Sequence, residues 1–357
     1  MHNNNIKITK AASDRVKSFD FENITFGRTF TDHMFSADYI DGKWTNLEIL
    51  PTQPLSIHPG NMSLHYGQAL FEGMKATKAE DGTPYLFRLD KYLTRINASA
   101  KRLCIPELPA DVFFGGLREL ITMEQAWIPP QSGSALYVRP FMFAMDNHIG
   151  VRPSHTYKFM ILALPAGPYY GRPVSLRAEP TYIRAALGGI GEAKAAGNYA
   201  AAMYPTKLAQ EAGYDQVLWL DAVEHKYIQE VGTMNIFFVI GDKVITPSTD
   251  GTILKGITRD SLITICKDKG MTVEERPISI DEIIEAHKNG ELKECFGSGT
   301  AAVIATVNKI GYGGTDYSLA EHFPVASMLK DTINGIRAGV IEDKFNWLEA
   351  LPILTTA

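Results

Sequence analysis

Cysteine is scarce: Cys104, Cys266 and Cys295 lie far apart in the 357-residue chain, and no C-x-x-C pair occurs. That spacing excludes a cysteine metal cluster or a disulfide framework, and points to reduced thiols in a cytoplasmic protein. No apolar run approaches the length needed to span a bilayer. The stretch Met1-His2-Asn3-Asn4-Asn5-Ile6-Lys7 lacks the apolar centre of a signal peptide, and Asp14, Asp20 and Glu22 come too early for a transit peptide. No long basic run exists and the formal net charge is −5, which argues against nucleic acid or an anionic membrane as partner. Also absent are histidines at metal-ligand spacing, a Gly-x-Ser-x-Gly elbow, internal repeats and low-complexity segments.

What remains is the composition of a soluble globular protein, 45% hydrophobic and 21% charged, in a chain too long for one ordinary core. Two domains of mixed α and β structure are expected. Asp41-Gly42 is a hairpin signal inside an alternating stretch, and Tyr85-Leu86-Phe87 reads as a strand. Asp90 is expected to cap a helix from Lys91 to Leu103, and a second helix to run from Ala110 to Trp127, before Pro129-Pro130. Strands are expected at 135–145 and 157–164, on either side of a loop at His148-Ile149-Gly150-Val151-Arg152-Pro153. The segment from Pro165 to Pro173 is the densest proline and glycine cluster and marks the domain boundary. Beyond it strands and helices alternate: strands at 174–178, 216–220 and 236–240, helices at 199–211, 261–269 and 331–339, and a β-branched run to Ile310.

Four features of the second half suit one anionic, aromatic ligand. Lys194 stands alone among glycines and alanines in Leu187–Tyr199, where backbone can approach a bound group closely. An amine there could attack a carbonyl, although the stretch also reads as a glycine-rich surface loop. Glu230 sits at the start of an apolar strand, where a carboxylate is costly without a partner, unless it is exposed at the strand end. Gly256-Ile257-Thr258 opens a helix, where free amides attract phosphate, or is an ordinary helix start. Gly297-Ser298-Gly299-Thr300-Ala301-Ala302 formally fits the dinucleotide pattern G-x-G-x-x-G/A, but the run after it favours a strand over the required helix.

Together with His65-Tyr66-Gly67-Gln68-Ala69-Leu70-Phe71-Glu72-Gly73-Met74-Lys75-Ala76 and Leu136-Tyr137-Val138-Arg139-Pro140, these segments resemble the branched-chain amino acid aminotransferases over nearly the whole chain. That family uses pyridoxal phosphate on the type IV fold. The resemblance implies an α+β protein of two domains, with the cofactor between them. A smaller N-terminal domain would span 1–166, an interdomain loop 167–175, and a larger C-terminal domain with a barrel-like sheet 176–357. It implies transamination of L-leucine, L-isoleucine and L-valine with 2-oxoglutarate, through a Schiff base on Lys194. Glu230 would face the pyridine nitrogen and Tyr199 the ring 3-oxygen, with Thr233 supporting Tyr199. Arg95, Ile257, Thr258 and Thr300 would hold the phosphate, although Arg95, read without the family, is a solvated helix-face residue.

For the substrate, the resemblance implies aromatic walls from Tyr66, Phe71, Tyr137 and Tyr169. Arg139 would meet the glutamate carboxylate, and Thr300 and Ala301 amides the α-carboxylate. Tyr66 with Ile149 and Val151 would reach the site of a second copy, making a homodimer; the aromatics also read as plain core. Where mammalian members carry C-x-x-C, this chain has Ala302-Val303-Ile304-Ala305, so no thiol switch is expected there. No metal is expected. The alternatives are a D-amino acid transaminase or an aminodeoxychorismate lyase of the same fold, told apart by their products. A non-catalytic binder would lack Lys194, and a nicotinamide enzyme would need an acidic ribose partner.

Overall fold

Asp41 and Gly42 both take left-handed backbone angles, as a type I′ turn requires, and they join the strands His33–Ile40 and Lys43–Pro51. Around this hairpin the first sheet of the computed structural model is built, in a chain described over residues 6–167 and 171–354. The order in the sheet is Lys7–Ile8, Lys43–Pro51, His33–Ile40, Tyr157–Ala166, Ala135–Ala144, Met74–Lys78, Pro84–Phe87 and Leu348–Ala350, with Ala69–Phe71 also pairing to Ala135–Ala144. The two long central strands carry no exposed residue, and in the same unit helix Ala110–Met123 packs on strands His33–Ile40 and Lys43–Pro51 and helix Leu89–Arg102 on strand Ala69–Phe71.

The second sheet runs Ile228–Val231, Gln216–Leu220, Val174–Ala178, Val303–Tyr312, Leu292–Gly299, Asn235–Ile240, Lys243–Thr246 and Thr272–Glu275, and Thr315–Ser318 pairs with Val303–Tyr312. Register shifts at Leu218/Leu220, Val239/Ile240 and Val307/Lys309 bend its strands, and the sheet curls as a half-barrel around an apolar core that includes Leu218, Ile236, Phe238 and Ile283. With seven α-helices among the described residues, the class is mixed α+β.

Contacts divide the chain into two units, residues 6–167, 193–196 and 334–354 in one, and 171–192 and 197–333 in the other. The short piece that carries Lys194 therefore packs with the first unit, although the chain on both sides of it packs with the second.

Several elements differ from the sequence expectation. The helix cap is Arg88 rather than Asp90: Arg88 takes φ 54°, its N–H donates to the Trp347 carbonyl, and its guanidinium lies 4.8 Å from the Trp347 ring. Asp90 falls in the first turn instead, where its charge still favours the helix N-terminus. The second helix ends at Met123, and Gln125–Trp127 continues as a 3-10 turn. Helix Pro324–Arg337 begins well before the expected 331, because the buried Glu294 carboxylate of a distant strand accepts from the N–H groups of Val325 and Ala326. Helix Ile280–Lys288 is not among the sequence expectations, yet its Ser279 hydroxyl accepts from Glu282 N–H, a capping pattern that the residues spell out.

Candidate active site

In the first unit, Lys194 is fixed through its backbone. Its N–H donates to the buried Ser99 hydroxyl at 3.0 Å, its carbonyl accepts from Phe71 N–H at 3.1 Å, and Ala195 bridges to Leu70. The lysine is thus held on the edge of strand Ala69–Phe71, half-buried between the buried Ala193 and Ala195. This argues against the solvated-loop alternative: the main chain of the residue is tied to strand Ala69–Phe71 beside an isolated bridge at Ala195.

Its Nζ lies 5.1 Å from the Phe71 ring centroid, and the Arg139 guanidinium lies 4.5 Å from the same ring. Arg139 also donates to the Tyr137 hydroxyl at 3.0 Å, while its Nε is buried without a partner. Phe71, Tyr137 and Arg139 are therefore brought together with Lys194, and the two cations favour an anionic ligand.

Arg95, in helix Leu89–Arg102, is no solvated face residue. The fully buried Glu72 grips it as a fork, with Nε to Oε1 at 2.7 Å and Nη2 to Oε2 at 2.6 Å. Glu72 lies inside a motif of the sequence that assigns it no role, because its partner is 23 positions away in the chain.

Tyr66 ends the helix Met62–Tyr66, and a bridge between Asn61 and Asn147 brings this helix to the loop that carries Ile149 and Val151. Ile149 is 69% and Val151 90% exposed, and Leu64 and Tyr66 are exposed beside them. The loop's base is held by Asp146, which accepts from Thr156 N–H and hydroxyl and from His155 N–H, and pairs with Arg152 at 2.9 Å. Burial would raise the Asp146 pKa, but these donors and Ser154 outweigh it and hold the carboxyl well below its ordinary value. Tyr169 lies outside the described residues.

In the second unit, Glu230 belongs to a strand of its own, Ile228–Val231, followed by a tight turn at Gly232-Thr233, rather than opening strand Asn235–Ile240. It is 3% exposed, so the strand-end alternative is excluded. Its Oε1 accepts from Leu254 N–H at 2.7 Å and lies 3.4 Å from Arg184 Nη2. Thr233 sits exposed at the turn, and Tyr199 is half-buried in helix Ala196–Glu211.

Ile257 and Thr258 are buried in the first turn of helix Ile257–Asp268, whose cap residue Gly256 offers no side-chain acceptor. A Cβ on Gly256 would collide with Asn235 Oδ1, whose amide holds the Leu254 carbonyl at 2.9 Å. The Thr258 hydroxyl is buried without a partner, as is that of Ser298. Thr300 and Ala301 are half-buried in the turn between strands Leu292–Gly299 and Val303–Tyr312, and that turn ends in Val303 at φ 59°, a conformation costly for a β-branched residue. The strand after the turn excludes the dinucleotide reading, which needs a helix there.

An uncapped helix start, an orphan buried hydroxyl in its first turn and a buried carboxylate suit a ligand with a phosphate and a protonated ring nitrogen. Among the described residues no group of three or more His, Cys, Asp or Glu is placed to hold a metal ion, and no helix is long and apolar enough to cross a membrane.

The family model for amino-transferase class IV matches residues 69–310. The branched-chain-amino-acid aminotransferase 2 of Bacillus subtilis (strain 168) is 46% identical over 342 residues, covering 94% of each chain. Among solved structures, the branched-chain aminotransferase of Thermoproteus uzoniensis with norvaline aligns with TM-score 0.74 at 25% identity, over 88% of this chain and 99% of that one. The branched-chain amino acid aminotransferase of Escherichia coli aligns with TM-score 0.71 at 27% identity, over 88% of this chain and 98% of that one.

Proposed function

The chain belongs to the class IV amino-transferases, and from that premise we propose that it moves the amino group of L-leucine, L-isoleucine or L-valine to 2-oxoglutarate, giving branched-chain 2-oxo acids and L-glutamate. The observation that carries this reading is Lys194, its backbone fixed on both sides and its amine beside Phe71 and Arg139. Pyridoxal 5′-phosphate supplies the electron sink for the substrate carbanion when bound.

The resemblance to that family assigns each residue its role, and the chemistry of the residues is compatible with it. Lys194 Nζ would hold the cofactor covalently, and its amine would carry the proton to and from the substrate Cα. Glu230 would keep the ring nitrogen protonated, and Tyr199, supported by Thr233, would donate to the ring 3-oxygen. Arg95, the amides of Ile257 and Thr258, and Thr300 bind the phosphate; the orphan Thr258 hydroxyl and the uncapped helix support this. Phe71, Tyr66, Tyr137 and Tyr169 wall the substrate side chain. Arg139 receives the glutamate carboxylate, and Thr300 and Ala301 the α-carboxylate.

The exposed Leu64, Tyr66, Ile149 and Val151 form an apolar face that a second copy would cover, and we read the protein as a homodimer on that ground. Its thiols support a reducing, cytoplasmic setting: Cys266 and Cys295 are buried as free thiols, and burial pushes the Cys266 thiol up to about 11.

The test is an absorbance spectrum of the purified chain after pyridoxal phosphate is added. L-leucine should bleach the lysine-bound chromophore and 2-oxoglutarate should restore it. A chromophore that answers only D-alanine would make it the D-specific transaminase, and pyruvate release from a bulky aromatic substrate would make it the lyase. No chromophore at all would remove the Lys194 assignment.

A further inference from the structure

Arg184 has no place in the roles above, yet it is buried against Glu230. Its side chain is 9% exposed, and its Nη2 lies 3.4 Å from Glu230 Oε1. The same nitrogen donates to the carbonyl of Gly191 at 3.1 Å and to that of Thr252. One guanidinium thus joins three pieces of the second unit: the loop at 184–191, the strand Ile228–Val231 and the segment at 252–254 that leads into helix Ile257–Asp268.

Neighbouring bonds brace the same place. Gln229 Nε2 donates to the Thr252 hydroxyl at 3.1 Å, Leu254 N–H donates to Glu230, and Asn235 holds the Leu254 carbonyl. Arg184 Nε is buried without a partner, so the side chain is not arranged for its own best satisfaction. Buried donors left in that state mark sites where function outweighs stability.

A buried carboxylate is costly unless a cation compensates it. Arg184 provides that compensation through a single long contact, not as a fork, because its other bonds are to carbonyls. We propose that Arg184 is a positioning residue for Glu230, clamping the carboxylate and the loops on either side of it into one seat for a protonated ring nitrogen. The inference rests on the functional reading of Glu230 given above.

The test is a double-mutant cycle of Arg184→Gln and Glu230→Gln. On the cofactor-free chain, urea unfolding should show each single variant less stable and the double variant recovering part of the loss. On the loaded enzyme, Arg184→Gln should lower kcat for L-leucine by about 10–100-fold, as removal of a group that orients a ligand-binding side chain does. KM should hold, the pH profile of the chromophore should shift, and the double variant should lose no more kcat than Glu230→Gln alone.

Wild-type kcat and an unmoved pH profile in Arg184→Gln, even with reduced stability, would overturn the proposal, as would losses that multiply in the double variant. Should Arg184→Gln fail to fold, Arg184→Lys, which keeps the charge but cannot bridge three segments, carries the test; it should lose kcat by a smaller factor, and full activity would overturn the clamp. A wild-type chain without a chromophore would sink the functional reading and this inference together, whereas an active wild type beside an unaffected Arg184→Gln would sink this inference alone.

Discussion

The two units each bury an arginine against a glutamate, and the pairs run in opposite directions. In the first, Glu72 is wholly buried and spends both oxygens on Arg95, the residue we assign to the phosphate. In the second, Glu230 is the residue assigned to the ligand, and Arg184 is the support behind it. The fork at Arg95 fixes a planar guanidinium in one orientation. At Glu230 one oxygen, Oε1, is held between the longer Arg184 contact and the Leu254 N–H. The cation we assign to the phosphate and the carboxylate we assign to the ring nitrogen are thus held by different geometries.

Several substitutions would dissolve this contrast or deepen it. Lys194→Ala should abolish turnover, by more than the ~10²–10⁴-fold that a general base alone contributes. Borohydride should no longer trap pyridoxal phosphate on the peptide containing residue 194. Circular dichroism should be unchanged, because the main-chain bonds that tie residue 194 to Ser99 and Phe71 survive the substitution.

Next come the two pairs themselves. Glu72→Leu and Glu230→Leu each remove the carboxylate from a largely buried arginine, a change that typically costs about 3–5 kcal/mol in urea unfolding. The larger loss is expected for Glu72→Leu: Arg95 there loses two charge-assisted bonds, whereas Arg184 keeps the Gly191 and Thr252 carbonyls. Equal losses would show that the two geometries do not differ in energy.

Gly256→Ala should weaken pyridoxal phosphate binding by roughly tenfold, about 1.4 kcal/mol, because the new Cβ must displace Asn235 and with it the approach to the helix start. Fluorescence titration of the cofactor-free chain measures this.

The smallest effect concerns Asp221, a carboxylate held by backbone alone. Burial would raise its pKa, but the N–H groups of Glu224, Tyr227, Lys226 and Val223 outweigh burial and bring it from 3.8 to about 2. A group whose pKa is lowered by folding adds stability above its unfolded value, and that stability is lost as pH falls through the folded value. Asp221→Asn should therefore flatten the pH dependence of unfolding between 3.8 and about 2 and leave higher pH nearly parallel to the wild type.

Legibility in the sequence divides by distance along the chain. Lys194, Glu230, Gly256 to Thr258, and Thr300 with Ala301 lie in contiguous motifs, and their chemistry can be read in place. Glu72 and Arg184 cannot be assigned that way, because their meaning comes from a partner that only the fold delivers. The same holds for helix ends. Ser279 caps locally and its signal is adjacent in sequence, whereas the helix at Pro324 begins where Glu294 happens to reach it. Arg88 in place of Asp90 is a tertiary override, since the Trp347 ring and carbonyl decide the backbone there. Strand Ile228–Val231 is four buried residues, too short to show a period.

The sheet of the first unit ends in strand Leu348–Ala350, paired to Pro84–Phe87, and it takes the peptide around Lys194 onto another of its edges. A ribosome making this chain therefore has that sheet's other strands, the last of them ending at Ala166, in hand long before residues 348–350 can finish this edge. Until residues 348–350 emerge, the strand at 84–87 offers an unpaired backbone on that side, the kind of edge that recruits wrong partners. Deleting residues 348–350 should thus harm yield and solubility out of proportion to the three residues removed.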